Sequence, residues 1–350
     1  MQELKPYQES FVRNLIEWDV VKFGEFKLKS GRPSPYFVNM ATAMDSGQRL
    51  LETGASYAES AWPATEFTVA HGPAMKGIPL VPAIAASLLE RGKHVKFAFD
   101  FKEGPVQVSR DPPIGVKLRV QEPTVRIVDS IDTGLMTQRE CNSVSAQMLA
   151  EDLHTRLTRN YSLDDIDCVV GKAYGGIVPA ALLVREIAKR EGVDLRFAYD
   201  RVSTKQHGVT SEADLVGRIQ PNDRVLVVDG RLEKIGGVYG HIGVDDSIRT
   251  FDDVITTGKA KRESKHKVDK THPRARWDGV HVGVYRGEVD EEGRTVDDSL
   301  REHGLDPLRY IVSAEDVFRY AHNKEFGGHV RVDDKAMEVF RAHLAKYGPK

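Results

Sequence analysis

Asp252-Asp253-Val254-Ile255-Thr256-Thr257-Gly258-Lys259-Ala260-Lys261-Arg262-Glu263-Ser264 is the stretch whose reading decides the fold. Two adjacent carboxylates lead into a turn of small residues, and the turn leads into a segment of helix-forming composition. Backbone N–H groups over Thr256 to Ala260 can converge on one phosphate, helped by hydroxyls and by the positive end of the helix that follows. The paired aspartates can accept hydrogen bonds from neighbouring ribose hydroxyls, or lie beside a metal-bound diphosphate. An acidic turn before any helix shares the first few of these features, and only the whole stretch is specific.

Outward from that stretch, the totals set the bounds. With 350 residues the chain is long for one domain and comfortable for two, at roughly 150 residues each. A composition of 40% hydrophobic and 29% charged residues suits a soluble protein with a real core. The net charge of -2 and pI near 6.7 give no global electrostatic case for binding nucleic acid or a membrane. Cys141 and Cys168 stand alone, away from any CxxC spacing, which argues against a disulfide framework or a structural zinc. The N-terminal segment is charged and amphipathic, without a continuous apolar run, so a cytoplasmic protein is expected.

In chain order, residues 7–20 have helical spacing at Phe11, Leu15 and Ile16. Phe23 to Asn39 is punctuated by Gly31, Pro33 and Pro35 into two short strands; it is basic, with the aromatic pair Tyr36-Phe37. A helix over about 46–60 precedes the apolar strand Phe67–Ala70, which runs into His71-Gly72-Pro73-Ala74-Met75-Lys76-Gly77. Such a strand, turn and helix places backbone N–H groups where an anion can bind. Helix 80–91 and strand 95–99 complete a βαβ unit. The pattern then restarts about 100 residues downstream. Asp167–Val170, Gly171–Pro179, helix 180–190 and strand 195–199 repeat the first unit, and Arg201–Gly208 stands where the first copy has Phe101-Lys102-Glu103-Gly104. Val225–Asp229 reads as a buried parallel strand. The glycine-rich excursion 230–251 should return the chain to that same strand end.

The stretch at 252–264 resembles the phosphoribosyl-diphosphate (PRPP) loop of type I phosphoribosyltransferases, and most closely that of the orotate phosphoribosyltransferases. The LKSGRPSPYFVN segment at 28–39 is similar to the N-terminal segment of the same group. His71–Pro79 looks like the family's diphosphate loop, and Val125–Gly134 like a worn copy of the PRPP loop. Trp277–Glu288 looks like the penultimate strand, and 305–320 like the closing strand and helix.

The resemblance implies an α/β, parallel-sheet fold in two tandem related units, divided as 1–143 and 144–350. It implies a Mg²⁺-dependent transfer of the phosphoribosyl group from PRPP to orotate, giving orotidine 5′-monophosphate and diphosphate. The residues it implies for PRPP are Asp252, Asp253, Val254, Ile255, Thr256, Thr257, Gly258, Lys259 and Ala260, with Arg201, Lys205, His207, Tyr174, Lys76 and Lys102. Lys205, His207 and Asp253 would be catalytic. Lys29, Tyr36, Phe37, Thr256 and Arg286 would meet the orotate, and Mg²⁺ would arrive on the diphosphate rather than on a protein ligand set.

Several positions depart from the family pattern. The second copy has Gly175 where the diphosphate-loop lysine stands and Val202 where the catalytic loop has a further lysine; the first copy keeps both, as Lys76 and Lys102. Either the two halves complement one another in an intrachain pseudo-dimer, or the first copy is scaffold and its lysines are remnants. A homodimer is the family's usual form. Transfer to another nucleobase, and a PRPP- or nucleotide-sensing protein with a degraded catalytic apparatus, stay open beside the orotate reading.

Overall fold

The computed structural model describes residues 3–28, 31–62, 66–100, 126–200, 215–217, 219–232, 234–235, 238–255, 258–290 and 292–349. Helix α1 (Pro6–Glu17) starts on a proline at its first turn and buries Phe11, Val12, Leu15 and Ile16 on one stripe. The antiparallel hairpin β1 (Val21–Lys27) and β2 (Pro33–Val38) follows. Next come α2 (Gly47–Ala61), β3 (Val69–Gly72), α3 (Gly77–Leu89) and β4 (Lys96–Asp100). The middle of the chain forms β5 (Arg126–Met136), α4 (Ser143–Asn160), β6 (Cys168–Gly171), α5 (Ile177–Glu191), β7 (Arg196–Asp200), β8 (Leu215–Gly217) and β9 (Arg224–Leu232). The remainder is β10 (Lys234–Ile235), β11 (Val238–Gly240), β12 (Ser247–Ile255), α6 (Lys259–Thr271), β13 (Arg276–Tyr285), α7 (Val296–Arg301), β14 (Leu308–Ser313), α8 (Ala314–Ala321), β15 (Glu325–Phe326), β16 (His329–Val330) and α9 (Asp334–Tyr347). No helix among the described residues is long and apolar enough to cross a membrane.

Two mostly parallel sheets result. The larger runs β10-β11-β4-β3-β12-β13-β14 and the smaller β5-β9-β6-β7-β8. Their pairings correspond: β3 with β6, β4 with β7, β12 with β9, and the antiparallel strand β11 with β8. Both strand–turn–helix corners also carry a cis peptide at the same relative place, Ala74–Met75 and Ala173–Tyr174. The doubled α/β architecture read from the repeat is therefore present.

The strands are not shared out as the division 1–143 and 144–350 expected. The larger sheet takes β3 and β4 from before residue 101 and β10 to β14 from after 233, so the unit at 126–232 sits between its two parts. Val125–Gly134, expected as a worn PRPP loop, supplies β5, which pairs with β9 and occupies the place that β13 holds beside β12. The 230–251 excursion does not return to the end of β9 either. It carries the chain from the smaller sheet to the larger one, where β12 pairs with β3. Apolar alternation marks a strand but not its neighbour, and the neighbour is what these expectations required.

The two units pack through α2, α3, α4 and α5, whose apolar side chains share one core between the sheets. The contact is reciprocal. Gly47 N donates to Leu195 O at 2.9 Å and Phe197 N to Asp45 O at 2.7 Å, while Ser143 N donates to Val95 O at 2.9 Å and Phe97 N to Cys141 O at 3.0 Å. The segments leading into α2 and α4 are thus each lent to the start of the other unit's second repeated strand, the self-complementary pattern of a two-fold interface. Across the same seam Arg185 of α5 donates to Ser87 Oγ at 3.0 Å and pairs with Glu90 at 2.9 Å.

The close approach of α2 to α5 requires a glycine, because a Cβ on Gly47 would lie 2.2 Å from the Val184 carbonyl oxygen. Gly47→Ala should destabilise the protein by about 1–3 kcal/mol through overpacking, read as a lower denaturant midpoint. An unchanged midpoint would mean that this crossing does not hold the units together.

Candidate functional site

β12 and β3 lie side by side and parallel, pairing Ile248 with Val69, Arg249 with Ala70 and Thr250 with His71. Their carboxyl ends diverge into separate turns, the place where parallel α/β sheets form binding crevices. β12 ends there with Asp252-Asp253-Val254-Ile255. β3 ends at Gly72 and turns through Pro73–Lys76 into α3. That turn is tight: a Cβ on Gly72 would lie 2.6 Å from the Gly77 carbonyl oxygen.

The lysine of one turn meets the carboxylate of the other, with Lys76 Nζ 2.5 Å from Asp253 Oδ2. Asp252 is held from the helix side by Lys261, also at 2.5 Å. Lys261 Nζ donates in addition to the Val254 carbonyl at 3.0 Å. From below, Tyr57 of α2 donates its hydroxyl to the Asp252 carbonyl at 2.7 Å. Asp252 is only 6% exposed, and burial raises its carboxyl to about 6 against the opposing pull of Lys261. Burial acts on Asp253 the same way, but Lys76 and Lys261 outweigh it and hold that carboxyl below the usual range. The two carboxyls of the doublet are thus pushed apart, Asp253 downward by its lysines and Asp252 upward by burial.

Gly258 adopts φ +71° at the N-cap of α6, a left-handed turn that glycine makes without a Cβ penalty. The first intrahelical bonds run from Lys261 N and Arg262 N to the Gly258 carbonyl, at 3.0 and 3.1 Å. The N–H groups of Lys259 and Ala260, one residue earlier, carry the positive end of the helix toward the crevice mouth. Val254 and Ile255 serve the core instead: Ile255 is buried among Val280, Val282 and Leu300, and Val254 packs on the main cluster.

Of the other residues expected at the site, Lys29, Lys102, Arg201, Lys205, His207, Thr256 and Thr257 lie outside the described residues. Tyr174 lies in the corresponding turn of the smaller unit, its ring 6.0 Å from that of Tyr239 on β11. Tyr36 and Arg286, expected to meet a base, are enclosed. Tyr36 is 1% exposed and its ring packs edge-on against Phe318 and Phe340. Arg286 is 4% exposed, donates to Ser34 Oγ at 3.0 Å, pairs with Glu288 at 2.8 Å and lies 4.2 Å over the Tyr36 ring. Glu288 also receives Arg32 at 3.0 Å and His343 at 3.2 Å. Burial alone would raise that carboxyl, but His343 and Arg286 hold it at about 2. Phe37 keeps partial exposure beside Phe26 at 5.8 Å.

Lys261, Tyr57 and Glu288 were not singled out by sequence reasoning. Lys261 lies inside the decisive stretch but reads there as one more helix cation. Tyr57 has no local signal, and Glu288 reads only as the end of the stretch Trp277–Glu288.

These features define a class, a parallel-sheet α/β fold with a strand-end crevice, similar to that of the type I phosphoribosyltransferases. The particular relatives are orotate phosphoribosyltransferases. The chain is 36% identical over 143 residues to the one from Halorhodospira halophila, covering 40% of this chain and 66% of that protein. It is 39% identical over 140 residues to the one from Chromohalobacter salexigens, covering 39% of this chain and 58% of that protein. The chain therefore spans about three fifths to two thirds of the length of these relatives. A crystal structure of an orotate phosphoribosyltransferase from Francisella tularensis aligns with 97% of this chain and 99% of its own, at 18% identity and a TM-score of 0.44. No protein-family profile matches.

The split of the doublet is open to direct measurement. In a carboxyl-carbon NMR titration Asp252 should show a midpoint near 6, and Lys261→Met should move it higher, because burial then acts without the opposing cation. Since the folded value lies above the ordinary one near 4, this group by itself makes the fold less stable as pH rises through that interval. A midpoint at or below 4 would contradict the burial described.

Proposed function

We propose that the chain transfers the 5-phosphoribosyl group of PRPP to orotate, releasing diphosphate. One observation carries the reading: Lys76 and Asp253, 177 residues apart in the chain, meet at the ends of neighbouring parallel strands beside the N-terminus of α6. On this reading the amides of 258–260, with Thr256 and Thr257, receive the 5-phosphate. Asp252 and Asp253 accept hydrogen bonds from the ribose hydroxyls, and Lys76 presents its ammonium to the departing diphosphate. The charge that builds as the C1–O bond lengthens needs cations held in place before the reaction. Lys205, His207, Arg201 and Lys102 are proposed to add to that charge, and Tyr174 to flank the site from the smaller unit. Lys29 and Phe37 are proposed for the base side, whereas Tyr36 and Arg286 are enclosed in the protein.

Mg²⁺ is proposed to enter on the diphosphate of PRPP and to keep most of its water, since Asp252 and Asp253 are already paired with Lys261 and Lys76. When bound it would neutralise diphosphate charge. The reciprocal packing of the two units supports an intrachain pseudo-dimer.

Arg286 favours a second reading. Its guanidinium already has a carboxylate partner in Glu288, so the base accepted could be one without a carboxylate of its own. Following the ultraviolet band of orotate with PRPP and Mg²⁺ separates the two. Loss of the band with release of diphosphate is expected. A flat trace beside an active control, with diphosphate released from PRPP when an uncharged nucleobase is supplied instead, would favour the second reading.

Two further outcomes test the site. Lys76→Ala should raise the KM for PRPP roughly 10- to 100-fold, the scale of a lost charge-assisted hydrogen bond. PRPP affinity should also fall as pH drops below 6, because about a tenth of Asp252 remains ionised at pH 5. An affinity flat from pH 7 to 5 would remove Asp252 from ribose binding.

A further inference from the structure

We propose that the chain holds one ribose-phosphate site, in the larger unit, and that the matching crevice of the smaller unit is closed by its own backbone. The inference rests on the function proposed above and concerns how many such sites the chain has.

Three differences between corresponding positions carry it. The first is at the turn. In the larger unit the turn opens with Pro73, which has no N–H to give to β12. Lys172 stands at that place in the smaller unit, and its N–H donates to the Val228 carbonyl at 2.9 Å, fastening the turn onto β9. The rest of the turn is pressed flat against that strand. A Cβ on Gly175 would lie 1.8 Å from the Gly230 carbonyl oxygen, and one on Gly176 would lie 2.0 Å from that of Val228. Gly175 corresponds to Lys76, so the position that projects an ammonium in one unit has no room for any side chain in the other.

The second difference is at the carboxylates. The pairing register sets Asp229 opposite Asp252 in the correspondence, and Gly230 opposite Asp253. The surviving Asp229 pairs with Lys172 at 2.8 Å, and its carbonyl accepts from Thr133 Oγ1 at 2.9 Å. The doublet is gone, and its remaining member is held by the turn it would have faced.

The third is at the phosphate end. β12 passes through the left-handed Gly258 into the N-terminus of α6. β9 ends at Leu232, and β10 begins at Lys234 in the other sheet. The chain leaves the smaller unit at the point where a phosphate cradle would be built, so among the described residues β9 leads into no helix N-terminus of the kind that α6 gives β12.

Isothermal titration of the full chain with PRPP and Mg²⁺ tests the inference. One molecule per chain is expected. Asp253→Asn should weaken binding at least tenfold, and Asp229→Asn should leave it within twofold of wild type. Two molecules per chain would overturn the single site and leave the proposed function standing. Binding lost in Asp229→Asn but kept in Asp253→Asn would place the site in the smaller unit and overturn the inference. No binding at all by the wild-type chain would overturn the proposed function, and the single site with it.

Discussion

The parallel pairing of β12 with β3 is the constraint on which the rest depends. Three backbone pairs, at Val69, Ala70 and His71, fix where Asp252 and Asp253 emerge relative to the turn that carries Lys76. Bringing together segments so far apart costs loop-closure entropy, but that cost grows only with the logarithm of separation. Once the ladder exists, the folded unit between the two segments helps to hold it. Tyr57 then braces the end of β12 from α2, and α6 closes over the same end through Lys261. A one-residue slip in this register would turn the aspartates to the opposite faces of the sheet and leave Lys76 facing an apolar side chain.

The seam between the units has a related origin. Each sheet has an apolar face that one pair of helices cannot fully cover, and stacking the two helix pairs buries both faces in one core. The reciprocal backbone bonds at Asp45–Gly47 and Cys141–Ser143 give that stacking a direction. They also allow the units to diverge in function without coming apart. The larger unit keeps a crevice at its strand ends, whereas the smaller one is filled by its own turn at Gly175 and Gly176. A scaffold that still packs correctly does not need an open site.

Electrostatics divides the larger unit in a similar way. At the strand ends, Asp252 and Lys261 are buried while Asp253 and Lys76 are partly exposed, and the unequal distribution of the cations separates the titration of the acids. Behind the β1–β2 hairpin, Arg32, Arg286 and His343 converge on Glu288 in a far more enclosed setting. Removing any one partner there would leave charge buried without compensation, so that cluster fixes the hairpin and α9 to β13. Its cations converge on one buried carboxylate, while Lys76 is more exposed and pairs with Asp253 at the strand ends.

The sequence by itself determined the elements and the doubling. Helix α1, the β1–β2 hairpin, the repeated strand–turn–helix at 67–79 and 167–179, and the acidic doublet before a small-residue turn are all local patterns. Local patterns are what hydrophobic period and turn chemistry encode. Only the tertiary structure decided which strands became neighbours. It placed β12 beside β3 and β5 beside β9, although resemblance alone suggested that Val125–Gly134 was a phosphate turn. It also turned Arg286 toward Glu288, and it brought in Tyr57 and Lys261, whose roles have no signature at their own positions. The physical reason is that strand pairing and burial depend on residues far away in the chain, whereas period, caps and turns depend on the next few.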